Sequence, residues 1–388
     1  MRPQQSSAPS QLPSHRSQTM ITCFGVPLRS GWPGPTGGLV PRPEQKNCPL
    51  HPLTETGATV RSPSAPLLNA AAAAVVAPLL AQPTDFAAAL HQTGGSRVVD
   101  CGVATRGNGP LGLLLARAAL GGRGLVELHE TAARTPLAEI WPACPWPVVQ
   151  VGTDDPVAAC LAAQYAGWKV SEGPYFAMAS GPLRAAIGRE ELYDVIGHRE
   201  QPDVAVGLLE AGKLPPEQVC RGLAEAAGVE PESLILLVAA TASPAGTLQV
   251  VARSLETALH QLHERQFDLT RIIRGRAAAP LPPVAESDLA AIGRTNDAIL
   301  YGGFVQLEVG GDDASLDVIG PQIVSSHSST HGQPFVELFR RARGDFYALD
   351  PALFAPAVVE FVNRDTGRRS RFGRIEPAIV SASFSTTD

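Results

Sequence analysis

The sequence predicts an α/β fold of two domains, preceded by a disordered N-terminal extension. The chain has 388 residues, more than the roughly 100–200 that a single domain usually contains. From about residue 65, runs typical of strands alternate with runs typical of helices, which is the pattern of an α/β architecture. We therefore divide the chain into an extension (1–64), an N-terminal α/β domain (65–200) and a C-terminal α/β domain (201–388).

The extension has no sustained helical or alternating pattern and is rich in Pro, Ser, Gln and Gly. Such a segment buries too little apolar surface to offset its chain entropy, so we expect disorder. The next residues, 67–80 and 86–90, fit helical pieces broken at Pro78 and Pro83. A buried strand is predicted at 97–103, followed by a helix at 111–120 that ends at Gly121 and Gly122.

Periodicity predicts the remaining elements in the same way. Further strands are predicted at residues 148–151, 204–209, 234–239, 298–309 and 358–362. Further helices are predicted at residues 156–166, 216–227, 248–265 and 334–341.

The composition excludes several classes of protein. A formal net charge of −6 without a run of like charges provides no basic surface for nucleic acid. The longest apolar stretch, 67–81, contains Pro78 and is shorter than the roughly 20 residues of a membrane span. The six cysteines are scattered, without the close pairs of metal or redox sites. We expect reduced thiols, no nucleic acid or membrane partner, and a cytoplasmic location.

One face of the predicted helix 248–265 carries four chemically capable side chains. Arg253, Glu256, His260 and His263 follow one another at spacings of three, four and three, which places them on the same face. An Arg beside a Glu keeps the carboxylate ionised and oriented, as a general base requires. The same spacing suits a solvated ion pair worth under about 1 kcal/mol, and Glu256 with the two histidines would suit zinc. The His-x-x-His spacing, however, differs from that of known helical zinc pairs.

Two further segments have the composition of ligand-binding loops. The run 293–303 places Arg294, Thr295, Asn296 and Asp297 directly before a predicted strand, where a loop presents side chains. An Asx turn would explain the same residues. The second segment, 173–184, contains Ser180, Gly181 and Arg184, and its small residues allow close approach to a ligand. If Pro182 begins a helix, the local N–H groups and Arg184 are suited to an anion; an ordinary glycine-rich turn is the alternative.

Two other patterns are weaker. Residues 107–112 form a G-x-G-x-x-G sequence between a strand and a helix, but three residues separate the strand from the first glycine, unlike the dinucleotide-binding turn. His327 and His331 have metal-ligand spacing, but they lie in a polar loop without partner cysteines. We expect neither a nucleotide nor a metal at these positions.

Taken together, the segments resemble the methenyltetrahydromethanopterin cyclohydrolase family. The family's stretches occur in order from about residue 66 to the C-terminus, at residues 99–103, 166–168, 175–182, 238–243, 253–257, 293–303 and 345–356. This resemblance implies a pterin substrate bound in a cleft between two α/β domains, no metal or nucleotide cofactor, and a homotrimer. It also implies the reaction, which is the reversible hydration of a methenyl bridge to an N-formyl group in one-carbon metabolism.

The family's catalytic Arg and Glu, three residues apart, match Arg253 and Glu256. Glu256 is then the expected general base, and Arg253 fixes its rotamer and polarises the water or the developing formyl oxygen. We expect Arg294, Thr295, Asn296 and Asp297 to bind the pterin edge, and Ser180, Gly181 and Arg184 to line the site, with Gly181 and Arg184 near the anionic tail.

The sequence departs from the family at three places. Ala179 replaces the first glycine of a Met-Gly-Ser-Gly stretch, Pro110 and Leu111 replace an expected Glu-Ala pair, and the extension has no counterpart. Two rival interpretations remain: a pyridine-nucleotide-dependent dehydrogenase of the same pathway, based on residues 107–112, and a non-catalytic pterin-binding paralogue, based on the altered loops.

Overall fold

A computed structural model describes residues 66–165 and 167–385 of the chain. The predicted extension (1–64) and Ala166, at the end of a predicted helix, lie outside the described residues. The strands are β1 (Ala89–Thr93), β2 (Ser96–Asp100), β3 (Leu125–His129), β4 (Val148–Thr153), β5 (Trp168–Glu172), β6 (Tyr175–Ser180), β7 (Ala205–Glu210), β8 (Leu234–Ala239), β9 (Ile272–Pro280), β10 (Phe304–Val309), β11 (Val358–Asn363) and β12 (Arg369–Gly373).

The helices alternate with these strands. They are α1 (Leu68–Ala81), α2 (Gly109–Ala119), α3 (Leu183–Ile187), α4 (Leu192–Ile196), α5 (Glu217–Ala227), α6 (Pro244–Val251), α7 (Ser254–Glu264), α8 (Asp288–Gly302), α9 (Asp313–Ile319), α10 (Phe335–Arg341) and α11 (Pro377–Ser385), with a π-helix at Val157–Gln164. The predicted α/β class is confirmed.

Within the described residues, the strands form two six-stranded sheets. The first, sheet A, has the order β1-β2-β8-β7-β6-β5, and the second, sheet B, has the order β12-β11-β10-β9-β4-β3. Strands β2, β8 and β7 run parallel at the centre of sheet A. Sheet B is antiparallel except for the pair of β10 and β11.

The chain passes between the sheets three times. Helix α2 leads from sheet A to sheet B, the π-helix leads back to sheet A, and helices α6 and α7 lead to sheet B again. The boundary expected between residues 200 and 201 therefore does not separate the sheets, because each contains strands from both sides of it.

Burial explains why these elements stay together. Helices α1 and α2 cover one face of sheet A, where Val76 and Leu115 join the buried cluster of Val206 and Leu237. Helices α3 and α5 cover the other face. Helix α7 packs on sheet B, where Leu255 contacts the Gly275 position beside Leu307. Fully burying each such aliphatic side chain is worth about 1.5–3 kcal/mol.

The structure corrects two predictions near the start of the fold. Residues 86–90 were expected to be helical, but β1 and β2 form a hairpin there, closed by Gly94 and Gly95 at positive φ, the backbone that a two-residue turn requires. Pro78 was expected to break the first helix, but α1 continues through it. The buried face of α1, which includes Ala72, Val76 and Leu79, holds that helix against its neighbours.

Candidate active site

The predicted pair, Arg253 and Glu256, lies where the chain crosses from sheet A to sheet B. Helix α6 ends at Val251 and α7 begins at Ser254. Arg253 lies between the two helices, with φ −85° and ψ 2°, in the sparsely populated bridge region. Glu256 is in the first turn of α7, where the helix dipole favours a negative charge.

One continuous helix was expected at residues 248–265, and that prediction was wrong. The buried positions Leu248, Val251, Leu255 and Leu259 keep a helical spacing across the break. Apolar periodicity therefore could not reveal it. The break allows the Arg253 N–H to bond to the Val250 carbonyl, three residues back, which tightens the backbone at this point.

The Arg253 guanidinium is shared among three partners. Its Nη1 donates to Glu210 Oε1 at 3.0 Å. Its Nη2 donates to the Gln164 carbonyl at 3.1 Å. Its Nε and Nη2 each lie 3.4 Å from Glu256 Oε2. Arg253 thus connects the end of β7, the end of the π-helix and the start of α7.

Both members of the predicted pair are buried. Glu256 is 1% exposed and Arg253 is 9% exposed. Removing one partner of a buried ion pair typically costs 3–5 kcal/mol, so we expect the loss of either side chain to be strongly destabilising. The alternative of a solvated surface ion pair does not describe this geometry. A buried carboxylate held beside a guanidinium at a helix N-terminus can take a proton from a bound water molecule.

Sequence reasoning missed Glu210 and Gln164. Glu210 is the last residue of β7 and directly follows the strand predicted at 204–209. A carboxylate at the carboxyl end of a central parallel strand was a usable signal, because ligands bind at that edge of open α/β sheets. Gln164 interrupts an apolar run, and its Nε2 donates to the Ala252 carbonyl at 3.4 Å. Its Oε1 has no partner among the described residues.

The segment 293–303 is not the loop before a strand that was expected. It belongs to helix α8, and strand β10 begins only at Phe304. Thr295 and Asp297 are 0% exposed. Thr295 Oγ1 donates to the Ala291 carbonyl. A direct contact of these two residues with a ligand would need the packing around α8 to change, and that role stays a prediction.

Partners on α10 and α11 hold Asp297. Its carboxylate accepts hydrogen bonds from the Phe335 N–H at 2.9 Å and from Ser383 Oγ at 2.7 Å. Arg294 donates to the Pro283 carbonyl at 3.2 Å, and Asn296 Nδ2 donates to the Ile292 carbonyl at 2.8 Å. These contacts lie within α8, between α8 and α10 or α11, or with the segment before α8, and none of them reaches Arg253.

The segment 173–184 contains strand β6 rather than a glycine-rich turn. Ser180 ends the strand, and Gly181 follows at φ +94° with its N–H bonded to the Ala163 carbonyl. Ser180 is 1% exposed, and its Oγ has no partner among the described residues. Strands β6 and β7 are antiparallel, so Met178 faces Glu210 and Ser180 pairs with Leu208, further from Glu210. The end of β6 is connected to the Arg253 site through the Gly181 bond to Ala163, the residue before Gln164.

The Arg184 side chain is buried among partners other than the Arg253 site. Its guanidinium bonds to Glu190 and to the Tyr165 carbonyl, and it lies 4.9 Å from the centre of the Tyr165 ring. The side chain is 1% exposed. The predicted contact of Arg184 with an anionic tail stays a prediction. For that contact, the guanidinium would have to leave Glu190 and the Tyr165 carbonyl.

The two histidines of the predicted face do not approach Glu256 as metal ligands. His260 lies 3.6 Å from Glu264 and packs its ring against Tyr165, as His263 also does. Across residues 66–165 and 167–385, no group of three or more His, Cys, Asp or Glu side chains is arranged to hold a metal ion.

The glycine-rich loop after β2 is organised by its own carboxylate. Asp100 accepts hydrogen bonds from the N–H groups of four following residues, 102–105. Burial alone would raise the pKa of Asp100, but these bonds outweigh it and hold the pKa below its ordinary value. A Cβ at Gly112 would meet Leu248 and Ala245 of α6, so helix packing accounts for this glycine.

Two of the family departures fall in the core. Ala179 is 2% exposed and belongs to the buried cluster of Trp168 and Tyr175 on sheet A. Leu111, in the first turn of α2, is 0% exposed and belongs to the buried cluster of α1, α2 and sheet A, whereas Pro110 is exposed. Ala179 and Leu111 therefore contribute to packing. No helix among the described residues has the length and apolar character needed to span a membrane.

Comparison with known proteins identifies the family of the chain. The family model described as Cyclohydrolase (MCH) matches residues 67–384. A methenyltetrahydromethanopterin cyclohydrolase of Methylobacterium organophilum is 44% identical over 329 residues, covering 83% of this chain and 99% of that protein. The proteins of the same name from Methylobacillus flagellatus and Methanocella arvoryzae are both 40% identical over 290 residues, covering 75% and 74% of this chain and 86% and 88% of their own lengths. The chain therefore belongs to the cyclohydrolase (MCH) family.

Proposed function

We propose that this protein hydrates the methenyl bridge of methenyltetrahydromethanopterin and opens it, reversibly, to the N-formyl compound. The observation that carries the proposal is the buried contact of Arg253 with Glu256 in a chain of this family. The methenyl carbon lies between two nitrogens in a cationic amidinium, so it is already electrophilic. The protein needs to place a water molecule and remove its proton.

Glu256 is the general base. As the water oxygen bonds to the methenyl carbon, the carboxylate accepts one water proton. Cleavage of one carbon–nitrogen bond then leaves the formyl group on the other nitrogen, as the remaining hydroxyl proton passes to the departing nitrogen and the first proton is released. The overall reaction consumes one water and releases one proton. General-base assistance is typically worth 10²–10⁴-fold. Arg253 orients Glu256 and stabilises the developing formyl oxygen.

The substrate binds in a cleft between the sheets, at the carboxyl edge of sheet A. Ser180 and Gly181 contribute from the end of β6, supported by the unpartnered Ser180 Oγ and by the Gly181 bond to Ala163, the residue before Gln164. Arg294 and Asn296 bind the pterin edge from α8. Thr295, Asp297 and Arg184 take part through a rearrangement of their present contacts.

The remaining features follow the family resemblance. The reaction uses no metal or nucleotide cofactor, the protein acts in the cytoplasm as a homotrimer, and it serves one-carbon metabolism in the direction of either formaldehyde oxidation or methanogenesis. The dehydrogenase alternative is not favoured, because Asp100 and α6 account for residues 100–112. The non-catalytic alternative is not favoured, because a protein that only binds a pterin does not need a buried Arg and Glu pair.

The test follows the near-ultraviolet absorbance of the methenyl pterin after addition of purified protein, with and without prior chelator treatment. We expect decay at the same rate in both samples, and a single species of three chains by light scattering. Absence of decay would refute the hydrolase and favour the binding paralogue. Decay abolished by the chelator would contradict a metal-free reaction, and binding of reduced nucleotide in a fluorescence titration would support the dehydrogenase.

A further inference from the structure

Glu210 is the closer of the two carboxylates bonded to Arg253. Its Oε1 lies 3.0 Å from Arg253 Nη1, whereas Glu256 Oε2 lies 3.4 Å from Nε and Nη2. The Glu210 side chain is 18% exposed. It ends the central strand β7, in register with Met178 of β6 and Ala239 of β8. A strand paired on both sides gives its last residue a fixed position.

The charges of the side chains bonded to Arg253 do not cancel its own charge. One guanidinium faces two carboxylates, so these three side chains together carry one net negative charge when all are ionised. An Arg and Glu pair alone would be neutral. The excess charge favours a cationic ligand, because the effective dielectric constant near a protein surface leaves a charge pair worth several times its value in water.

We propose that Glu210 is a positioning residue that holds Arg253 away from a tight pair with Glu256 and keeps Glu256 basic enough to accept the water proton. This inference rests on the proposed function. With Glu210 in place, Arg253 divides its donors among Glu210, Glu256 and the Gln164 carbonyl. Without the Glu210 charge, the guanidinium pairs with Glu256 alone, which stabilises the carboxylate and weakens it as a base.

Two titratable groups that face Glu256 come from the π-helix and the residue after it. Cys160 and Tyr165 interact electrostatically with Glu256. Burial raises the pKa of both groups well above the ordinary values, so both are neutral around pH 7. The charged contact of Glu256 described above is with Arg253, which also bonds to Glu210.

The experiment compares the wild-type protein with Glu210→Gln, which keeps the side-chain shape and removes the charge, and with Glu210→Asp, which keeps the charge. The control is Glu217→Gln, which removes an exposed carboxylate paired with Arg221 on α5. Hydration of the methenyl pterin is followed across the pH range in each protein. The titration of Glu256 is followed by carbon-13 NMR of labelled Glu carboxyl groups, assigned with Glu256→Gln.

We expect Glu210→Gln to lower kcat/KM by roughly 10- to 100-fold, the cost of a misplaced catalytic group. The pH below which its rate falls, the acidic limb of its pH profile, should move to lower pH by on the order of one unit. The midpoint of the Glu256 NMR titration should move by the same amount. Glu210→Asp should recover part of the rate and of the limb position, and Glu217→Gln should match the wild type.

The possible failures are distinguishable. A wild-type protein that does not hydrate the pterin rejects the proposed function and this inference with it. An active wild type with an unshifted acidic limb in Glu210→Gln rejects the inference alone, even if the rate falls, because a purely structural loss lowers the rate at every pH. An unchanged Glu256 titration in that variant would overturn it in the same way.

Discussion

Glu256 and Asp297 are both almost completely buried, and their neighbours give them different chemistry. Glu256 faces the Arg253 guanidinium. Asp297 accepts hydrogen bonds from a backbone N–H and a serine hydroxyl, which are uncharged. Burial raises the pKa of Asp297 to about 7, although both hydrogen bonds act to lower it. The first residue is suited to proton transfer, and the second joins three helices.

The pKa of Asp297 predicts how stability changes with pH. Its ordinary value is 3.8 and its folded value is about 7, so between these limits the folded protein retains a proton that the unfolded chain has released. Its contribution to stability is therefore full below about pH 4 and is lost as the pH rises through 7. We expect Asp297→Asn, which mimics the protonated form, to be more stable than wild type by a few kcal/mol at pH 8 and similar at pH 4.

Thermal unfolding of both proteins from pH 4 to pH 8 checks this expectation, and parallel curves would contradict it. The KM for the methenyl pterin reports on the other predicted role of Asp297. An increase of tenfold or more in the variant would support a direct contact with substrate, whereas a KM within about twofold would support the structural role alone.

At the residue scale, the sequence indicated the chemistry of the site but not its full membership. Arg253 and Glu256 could be chosen because their spacing and the resemblance agreed. Glu210 and Gln164 could not be joined to them, because they come from a strand and a π-helix far away in the chain. Thr295 and Asp297 were expected in a loop but lie in helix α8. The sequence could not show this, because polar residues next to an apolar run suit a loop as well as the buried face of a helix.

At the element scale, two of the three connections between the sheets supply residues of the site. The π-helix supplies the Gln164 carbonyl, and the break between α6 and α7 supplies Arg253 and Glu256. π-Helices are rare and are often found at functional sites. The start of α6 depends on a close approach, since a Cβ at Gly246 would lie 1.9 Å from the Ala240 carbonyl oxygen.

This contact predicts a sharp difference between two glycines at helix starts. We expect Gly246→Ala to push α6 away from the loop after β8, with a loss of stability of about 1–3 kcal/mol and lower activity through displacement of Arg253. Gly109→Ala, at the start of α2, meets no atom within 4 Å and should be neutral or stabilising by under about 1 kcal/mol. Melting temperatures measured side by side test the pair, and equal shifts would refute the packing argument.

Continuous apolar runs were predicted well, whereas strands of weaker pattern were missed both at the sheet edges and in the interior, where β6 and β9 lie. Strand β8 was predicted at its observed bounds because both of its faces are buried, which makes a continuous apolar run. Strands β3, β5, β6, β9 and β12 were missed because they mix polar and apolar residues. Strand β12, for example, alternates Arg369 and Arg371 with smaller or aromatic residues.

At the scale of the whole molecule, the two sheets are interleaved along the chain. Residues 66–200 contain the hairpins β1–β2, β3–β4 and β5–β6, but they lack β7 and β8, which join β2 to β6. They also lack β9 to β12, which complete sheet B. Isolated two-stranded hairpins are marginally stable in water, so this segment cannot form either sheet.

We therefore predict that a fragment of residues 66–200 does not fold alone. Its amide proton spectrum should show the narrow dispersion of an unfolded chain, and addition of a fragment of residues 201–388 should restore dispersed signals if the halves associate. A folded fragment 66–200 with native-like dispersion would show that the sequential division into two domains is physically real, despite the interleaved strands.

The α/β architecture could be predicted from the sequence because the alternation of strands and helices is a local pattern. The crossing of the chain between the two sheets is not a local pattern and could not be predicted. Which sheet a strand joins depends on partners more than a hundred residues away, such as β4 with β9. Single-sequence periodicity contains no such information. The site at the junction of the sheets is a consequence of this crossing, which explains why its residues come from three separate segments.

The most direct test of the account is the single-turnover rate of methenyl pterin hydration by Glu256→Gln beside the wild type, with both proteins shown to be folded by circular dichroism. We predict that the variant binds the pterin and loses about 10²–10⁴-fold in rate, because an amide cannot accept the water proton. A variant that retains the wild-type rate would contradict the assignment of Glu256 as the base and, with it, the function assigned to the buried pair.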